Sequence, residues 1–407
     1  MGKVLLCSKS AAASITADAL KPGCQLQVVD GLLADQPHYL RLQTERVAAL
    51  KDEAAALDAQ LKQAYADAPN SPETKELVTK LWHIARRMGI SGSNASVVMG
   101  DNTYRSRLDL FNELTGRVDS NNRKQSQAQE WGHRLEPLVV QKFAELHKVK
   151  FVSPDTFQSP LFNFMSASID RFIVNAANEV QAILEIKTAS FNYKVLNDDD
   201  ELVPVWGPGC KYQEVTNEDG TPSLVMTTAD TQCPKSYKEQ VLHYMLASGV
   251  YVARLAVLIS GNDYRDYVVP FDEETAINQI RAVDDFFCRY VLDDVVPEKS
   301  ADEIRESAVI PDSEVEASKE IEGMVKEVKH LAEKRKVIED KEKILKDSIV
   351  TFMKDKEVLT DGHSVLATLS MTKDRTTFDA KAFQAHDPET YAQFVKTSKG
   401  TRRLCFK

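Results

Sequence analysis

From about Pro37 to Ala66 apolar residues recur at helical spacing, with Val47, Leu50, Ala54, Leu57 and Leu61 on one stripe. Ahead of it, Lys3–Ser8 and Gln25–Val29 read as strands around a helical Ser10–Leu20, so residues 1–75 look like an N-terminal extension. Asn70, Ser71 and Pro72 interrupt the period. The Ser71 hydroxyl can accept an unpaired helix amide, and Pro72 fits the first helical position, where a missing N–H costs nothing. The helix begun there is expected to reach Met88 and stop at Gly89. Gln125–Val149 is again helical in pattern, with Pro137 starting or kinking a helix. Two short apolar runs follow, Ser168–Val174 and Ala182–Thr188, separated by the turn formers around Asn175 and Asn178. Residues 190–236 look irregular. Tyr237–Ser248 reads as a helix closed by Gly249, and Val250–Ser260 with Tyr264–Pro270 as a hairpin about Gly261, Asn262 and Asp263. Glu273–Tyr290 closes the segment as a helix.

Residues 298–314 are polar and charged, a linker by composition. A long charged helix runs on to about Lys356. In it Leu331, Ile338, Leu345 and Phe352 repeat every seven positions, flanked by Val328 and Ile349. The expectation for it is packing on its own domain or a helical hairpin rather than a coiled coil. Val358–Met371, containing Asp361 and Gly362, reads as a hairpin, and the basic tail after Arg402 as strand-like. The order of elements predicts an α/β domain with a mixed central sheet flanked by helices over residues 76–297, followed by a helical and hairpin region over 298–407.

Composition narrows the classes. A chain of 407 residues with 43% hydrophobic and 28% charged residues can build a large core and is ordinary for a soluble protein. No apolar run is long enough to span a bilayer, and the first residues do not read as a secretory signal. Cys7, Cys24, Cys210, Cys233, Cys288 and Cys405 are scattered without a Cys-x-x-Cys pair, which points to reduced thiols in a cytoplasm and away from a zinc or iron–sulfur site. A net charge of −10 argues against a broad nucleic-acid-binding surface but leaves room for a small basic channel.

The chemistry concentrates in the two apolar runs. Paired as an antiparallel hairpin centred between Ala177 and Asn178, they set Asp170 opposite Glu185. Directly opposed residues have Cβ atoms about 4.5–5.5 Å apart, and like charges so close repel unless a cation lies between them. Lys187 points to the same face, because strand side chains alternate. A charged hairpin face is commonly just solvated, with surface pairs worth roughly 0–1 kcal/mol. Here, however, Phe172, Ile173 and Val174 run together, as do Ile183, Leu184 and Ile186, a pattern of strands covered on both faces. Charges in such a place are costly unless paired or bound to metal.

Other residues order themselves around this hairpin. Gln240 and Tyr244, four apart, share a helix face with Tyr237. Glu136 adds a carboxylate beside Pro137. Arg86 and Arg87 lead into a hydroxyl-rich turn with Ser91 and Ser93, where amides, hydroxyls and guanidinium can all donate to a phosphate. In order, Arg-Arg-x-Gly-Ile-x-Gly-Ser, Leu-Glu-Pro, Ile-Asp-Arg, Leu-Glu-Ile-Lys-Thr-Ala-Ser and Gln-x-x-x-Tyr resemble the YqaJ-type viral recombinases, phage nucleases similar to lambda exonuclease within the PD-(D/E)XK superfamily. The resemblance covers about residues 80–290.

It implies a restriction-endonuclease-like core and a deoxyribonuclease that resects linear double-stranded DNA 5′ to 3′, leaving 3′ single strands for phage recombination in the bacterial cytosol. Asp170, Glu185 and the main-chain carbonyl of Ile186 would hold Mg2+ or Mn2+. Lys187 would orient the attacking water, Gln240 would position Lys187 or the water, and Glu136 would be an outer contact. Tyr237 and Tyr244 would support the site. Arg87, Ser91 and Ser93 would grip a 5′ phosphate. The resemblance also implies a ring of three subunits and a single-strand annealing protein as partner. Asn94 departs from the family's usual Asp, and residues 191–236 are longer than its norm. The competing readings are an endonuclease, a RecB- or Cas4-like nuclease of other polarity, and a DNA-end-binding protein without cleavage.

Overall fold

The structure, a computed structural model, describes residues 29–69, 71–102, 104–118, 126–196, 201–217, 220, 222–306, 314–373, 376–396, 400 and 402–406. Apart from Val29, the elements expected before Asp30 lie outside the described residues. The described chain up to Ser300 forms one compact unit, and Ala301 onward a second.

The first unit begins with α1 (Pro37–Asp67) and α2 (Pro72–Arg86), which pack as a hairpin through Leu50, Ala54, Leu81, Ile84 and Met88. Ser71 caps α2 by accepting from the Thr74 amide, as its place before Pro72 predicts. α2 ends at Arg86, two residues short of the expected Met88. Next come β1 (Ile90–Ser91), α3 (Gly92–Met99), α4 (Arg107–Leu114) and α5 (Gln127–His147), the last carrying Pro137 within it. The strands β2 (Lys150–Val152), β3 (Phe157–Gln158), β4 (Met165–Ala167), β5 (Arg171–Val174) and β6 (Val180–Ala189) follow.

Residues 190–236 are not irregular. They hold two antiparallel ribbons, β7 (Lys194–Leu196) with β8 (Leu202–Pro204) and β9 (Lys211–Thr216) with β10 (Pro222–Thr228). Their pattern is faint because most of their side chains are exposed, so no apolar alternation is needed. The ribbon β9–β10 is tied down by Tyr212, whose hydroxyl donates to the buried Asp266 at 2.7 Å, where His147 also meets the same oxygen at 3.0 Å. α6 (Lys235–Ser248), β11 (Ala253–Ile259), β12 (Asp263–Val269) and α7 (Glu273–Asp285) complete the unit, α7 running on into a π-helical turn over Phe286–Leu292.

The central sheet has the order β12-β11-β6-β5-β2 and is mixed: β6 and β11 are parallel and the other neighbours antiparallel. It is covered on both faces, which is why β6 reads as a continuous apolar run. On one face Ala182, Leu184 and Ile186 meet Val139 and Phe143 of α5. On the other Ile183 joins Val241, Leu242 and Met245 of α6 in the main core. Each such side chain fully buried contributes about 1.5–3 kcal/mol, enough together to hold charged neighbours inside.

The second unit holds α8 (Ala301–Glu306), where a linker was expected, then α9 (Lys319–Met353), the hairpin β13 (Val358–Thr360) with β14 (Val365–Thr368), α10 (Ala380–His386) and α11 (Pro388–Phe394). The tail over 402–406 carries no regular structure. No helix among the described residues is long and apolar enough to cross a membrane.

Candidate active site

The β5–β6 ribbon pairs Arg171 with Leu184, Phe172 with Ile183 and Ile173 with Ala182, the register of a hairpin centred between Ala177 and Asn178. Extending it by one residue sets Asp170 beside Glu185. A bulge then shifts Val174 onto Val180. The turn is organised by Asn175, whose side-chain oxygen accepts from the amides of Ala177 and Glu179 at 2.9 Å each, and by Asn178 in the left-handed region at φ 63°. On its other side Glu185 lies beside Leu255 of β11.

Glu185 is 1% exposed and shares the face of Ile183, toward α6. Its Oε1 accepts from Lys187 Nζ at 2.6 Å and from Gln240 Nε2 at 2.7 Å. Gln240 also donates to the Tyr244 hydroxyl at 3.0 Å. Oε2 is buried and receives no hydrogen bond from the described residues. Asp170 Oδ2 accepts from the Ile186 amide at 2.9 Å, which fixes its carboxylate against β6. The Lys187 ammonium lies 5.0 Å from the centre of the Tyr237 ring, a cation–π contact. Asp170, Glu185, Lys187, Gln240, Tyr244 and Tyr237 are thus brought together.

Electrostatics follow from burial. Desolvation, with the charge of Asp170 added, pushes the Glu185 carboxyl up to about 8 despite Lys187. For Lys187 burial acts downward, but Glu185 and Asp170 outweigh it and the pKa is raised, so the group keeps its proton. Burial, then Glu185 and Asp170, hold the Tyr244 phenol far above its usual range. Glu136 stands on α5, paired with Arg171 at 3.0 Å, and burial and Asp170 raise it. It feels the site but is committed to arginine.

The orphaned Glu185 oxygen bears on whether a metal fits. Among the described residues no group of three or more His, Cys, Asp and Glu could hold a metal ion. The donors brought together are the carboxylates of Asp170 and Glu185, both hard oxygens. Magnesium uses one or two protein carboxylates and keeps several waters, so this pair fits it. A cation would also offset the repulsion between the two carboxylates, which now helps raise Glu185.

At the phosphate-type turn the arrangement differs from expectation. Arg86, not Arg87, reaches the serines: its Nη2 donates to Ser93 Oγ at 2.7 Å, and Ser91 and Ser93 hydroxyls lie 3.2 Å apart. Arg87 caps the end of α2 and turns away to Glu53 at 3.3 Å and to the Leu114 carbonyl. The signal was in the helix phase. Arg86 follows Trp82 by four residues and stacks on its ring at 4.6 Å, whereas Arg87 follows His83 and Ile84 onto the α1 side. Arg105 was also missed: it donates to Asn94 at 3.0 Å and to Glu113 at 2.7 Å. The serine turn adjoins the acids through Gly92, where an added Cβ would lie 2.4 Å from Tyr244.

Past Lys187, β6 opens into a groove of about 660 Å3 lined by Thr188, Phe191, Tyr193, Tyr104, Trp206 and Tyr237. Phe191 and Tyr104 are 63% and 92% exposed. Phe191, Tyr193 and Val195, with residues 203–206, build one of its walls.

A protein of Bacillus subtilis (strain 168), named only as the uncharacterized protein YqaJ, is 30% identical over 230 residues, 55% of this chain. The chain spans 60% of that relative's length. Among solved structures, an alkaline exonuclease (LHK-Exo) from Laribacter hongkongensis superposes with a TM-score of 0.36 at 15% identity, over 53% of this chain and 94% of that one. LHK-Exo in complex with dAMP gives 0.34 at 16% identity, over 52% and 92%. Residues 81–251, from the end of α2 through α6, match the family profile described as the YqaJ-like viral recombinase domain.

Proposed function

We propose that the domain is a metal-dependent deoxyribonuclease of the PD-(D/E)XK type that digests linear double-stranded DNA from an end, 5′ to 3′, leaving 3′ single strands for recombination. One observation carries the reading. Asp170 stands opposite a buried Glu185 whose Oε1 is held by Lys187 and Gln240 while Oε2 receives no hydrogen bond from the described residues. Asp170, Glu185 and the Ile186 carbonyl would hold Mg2+ or Mn2+. The ion, when bound, supplies Lewis acidity to the phosphodiester and eases deprotonation of the attacking water. Lys187, protonated, donates to the water or to a phosphate oxygen and offsets the charge that develops there. Gln240 fixes the Glu185 rotamer, Tyr237 and Tyr244 wall the site, and Glu136 with Arg171 holds its outer edge.

Arg86, Ser91 and Ser93, with the amides at the start of α3 that the Ser91 side chain does not cap, would grip the terminal 5′ phosphate. The aromatic groove beyond Lys187 offers exposed rings on which bases of the adjoining strand can stack. A subunit ring and a phage single-strand annealing protein as partner belong to the same proposal, on family resemblance.

End-labelled linear duplex and closed circular DNA, each with Mg2+ or with chelator, test it. Mg2+-dependent release of nucleotides from the 5′-terminated strand of the linear duplex alone is expected. Cleavage of the circle would favour an endonuclease, and release from neither would favour an end-binding protein. A Lys187→Ala variant with full activity would remove Lys187 from the mechanism.

A further inference from the structure

Every residue of α9 is exposed except Val325 and Met353. A solitary helix in water draws little stability from propensity alone and is normally held by burying one face. α9 has such a face. From Ile321 to Phe352, in alternating steps of three and four residues, each position is apolar except Arg335 and Glu342. Leu331, Ile338, Leu345 and Phe352 on this seam are 52%, 64%, 65% and 74% exposed. A strict seven-residue repeat sustained this long keeps one seam toward a partner only if the helices supercoil. The expected packing on its own domain is not what α9 shows.

We propose that α9 pairs antiparallel with α9 of a second copy of this chain. The two charged positions single out both partner and direction. In a parallel, in-register pair Arg335 would stack on Arg335 and Glu342 on Glu342, two like-charge layers in a core. Antiparallel pairing carries Arg335 of each copy to within about a turn of Glu342 of the other, twice by symmetry. The seam is therefore complementary to its own reverse. The present companions of these groups are surface pairs within the helix, Arg335 with Glu339 at 3.7 Å and Lys346 with Glu342 at 2.5 Å, weak and readily exchanged. Val337 and Ile344 are exposed but lie off the seam. The pairing is independent of the nuclease reading.

Light scattering and sedimentation of the full chain at micromolar concentration test it. The wild type is expected at twice the mass of Ile338→Lys, whereas Ile344→Lys, with the same charge change on the next turn but off the seam, keeps the wild-type mass. Arg335→Glu and Glu342→Arg should each raise the dissociation constant at least about tenfold, and the two together should restore it. Equal masses for wild type and Ile338→Lys overturn the pairing, whether α9 is left single or covered by another protein. Failure of the double exchange to restore affinity overturns the antiparallel direction.

Discussion

Gln240 donates from Nε2 to Oε1 of Glu185 at 2.7 Å, the same oxygen that Lys187 reaches at 2.6 Å. Two donors on one oxygen orient the carboxylate so that the other, facing Asp170, accepts no hydrogen bond from the described residues. Gln240 is itself steadied by the Tyr244 hydroxyl, so α6 sets the Glu185 rotamer from across the core.

Gln240→Ala should therefore weaken the cation site without emptying it. Partners that orient a ligand typically account for 10–100-fold in metal affinity or activity, and a loss of about that size is expected. It should show as a shift of the rate-against-Mg2+ curve to higher concentration, largely recovered at saturation. Lys187→Ala should behave differently. It leaves a buried acid without its cation and removes a donor from the reaction, so the rate should fall about 10²–10³-fold at every Mg2+ concentration. Rates measured across an Mg2+ series separate the two.

The pH dependence of stability has a definite sign. Glu185, raised to about 8 from 4.5 by burial and Asp170, keeps in the folded state a proton that the unfolded chain has lost. Stability from this group is complete below 4.5 and is lost as pH rises through about 8. Glu239, raised to about 8 by burial and Asp101, acts in the same sense. His243, lowered by burial to about 4 from 6.5, acts oppositely, with stability lost as pH falls from 6.5 toward 4. The clean window is thus 6.5 to about 8, where His243 is flat. With chelator, the melting temperature should fall across that window. Glu185→Gln should reduce the slope, leaving the Glu239 part, while abolishing cleavage. Added Mg2+ should stabilise the wild type more at the upper end, and leave Glu185→Gln nearly unmoved.

Arg86 and Arg87 make opposite forecasts. Arg86 reaches Ser93 beside the open start of α3, whereas Arg87 is engaged with Glu53 and the Leu114 carbonyl. Arg86→Ala should erase any preference for a 5′-phosphorylated end over a 5′-hydroxyl end, and lose about 1 kcal/mol of stability with its stack on Trp82 and its bond to Ser93. Arg87→Ala should retain the preference and lower stability by about 1 kcal/mol. Digestion of paired phosphorylated and unphosphorylated duplexes decides between them, and melting curves check the loss of stability common to both.

The acidic hairpin was legible because three signals agreed. Unbroken apolar runs meant strands covered on both sides, Asn175 and Asn178 marked the turn, and alternation fixed the face of Lys187. The choice between Arg86 and Arg87 was not legible from the dipeptide. One residue rotates a helix by about 100°, so the side taken depends on which face α1 covers. The ribbons of 194–228 escaped notice because exposed strands need no alternation, and the groove wall they supply is a tertiary product. For α9 the seven-residue repeat was plain, but only the fold showed that nothing among the described residues of its own unit covers the stripe.

Gly92 offers the sharpest steric test of how the serine turn and the acids are joined. It opens α3 at the residue where Tyr244 packs against the backbone, and a Cβ there would lie 2.4 Å from one ring carbon and 2.8 Å from two more. The ring has little freedom to retreat, because Tyr244 is 3% exposed and its hydroxyl is held by Gln240. Gly92→Ala is thus expected to cost about 1–3 kcal/mol through overpacking. The displacement should pass through Gln240 to Glu185, so cleavage should fall further than the loss of folded protein explains. Tyr244→Phe removes only the hydroxyl and should leave stability within about 1 kcal/mol. In the double variant Gly92→Ala with Tyr244→Leu, the smaller side chain should return most of the lost stability but not the activity. A Gly92→Ala protein as stable and active as wild type would place the ring somewhere other than over this glycine.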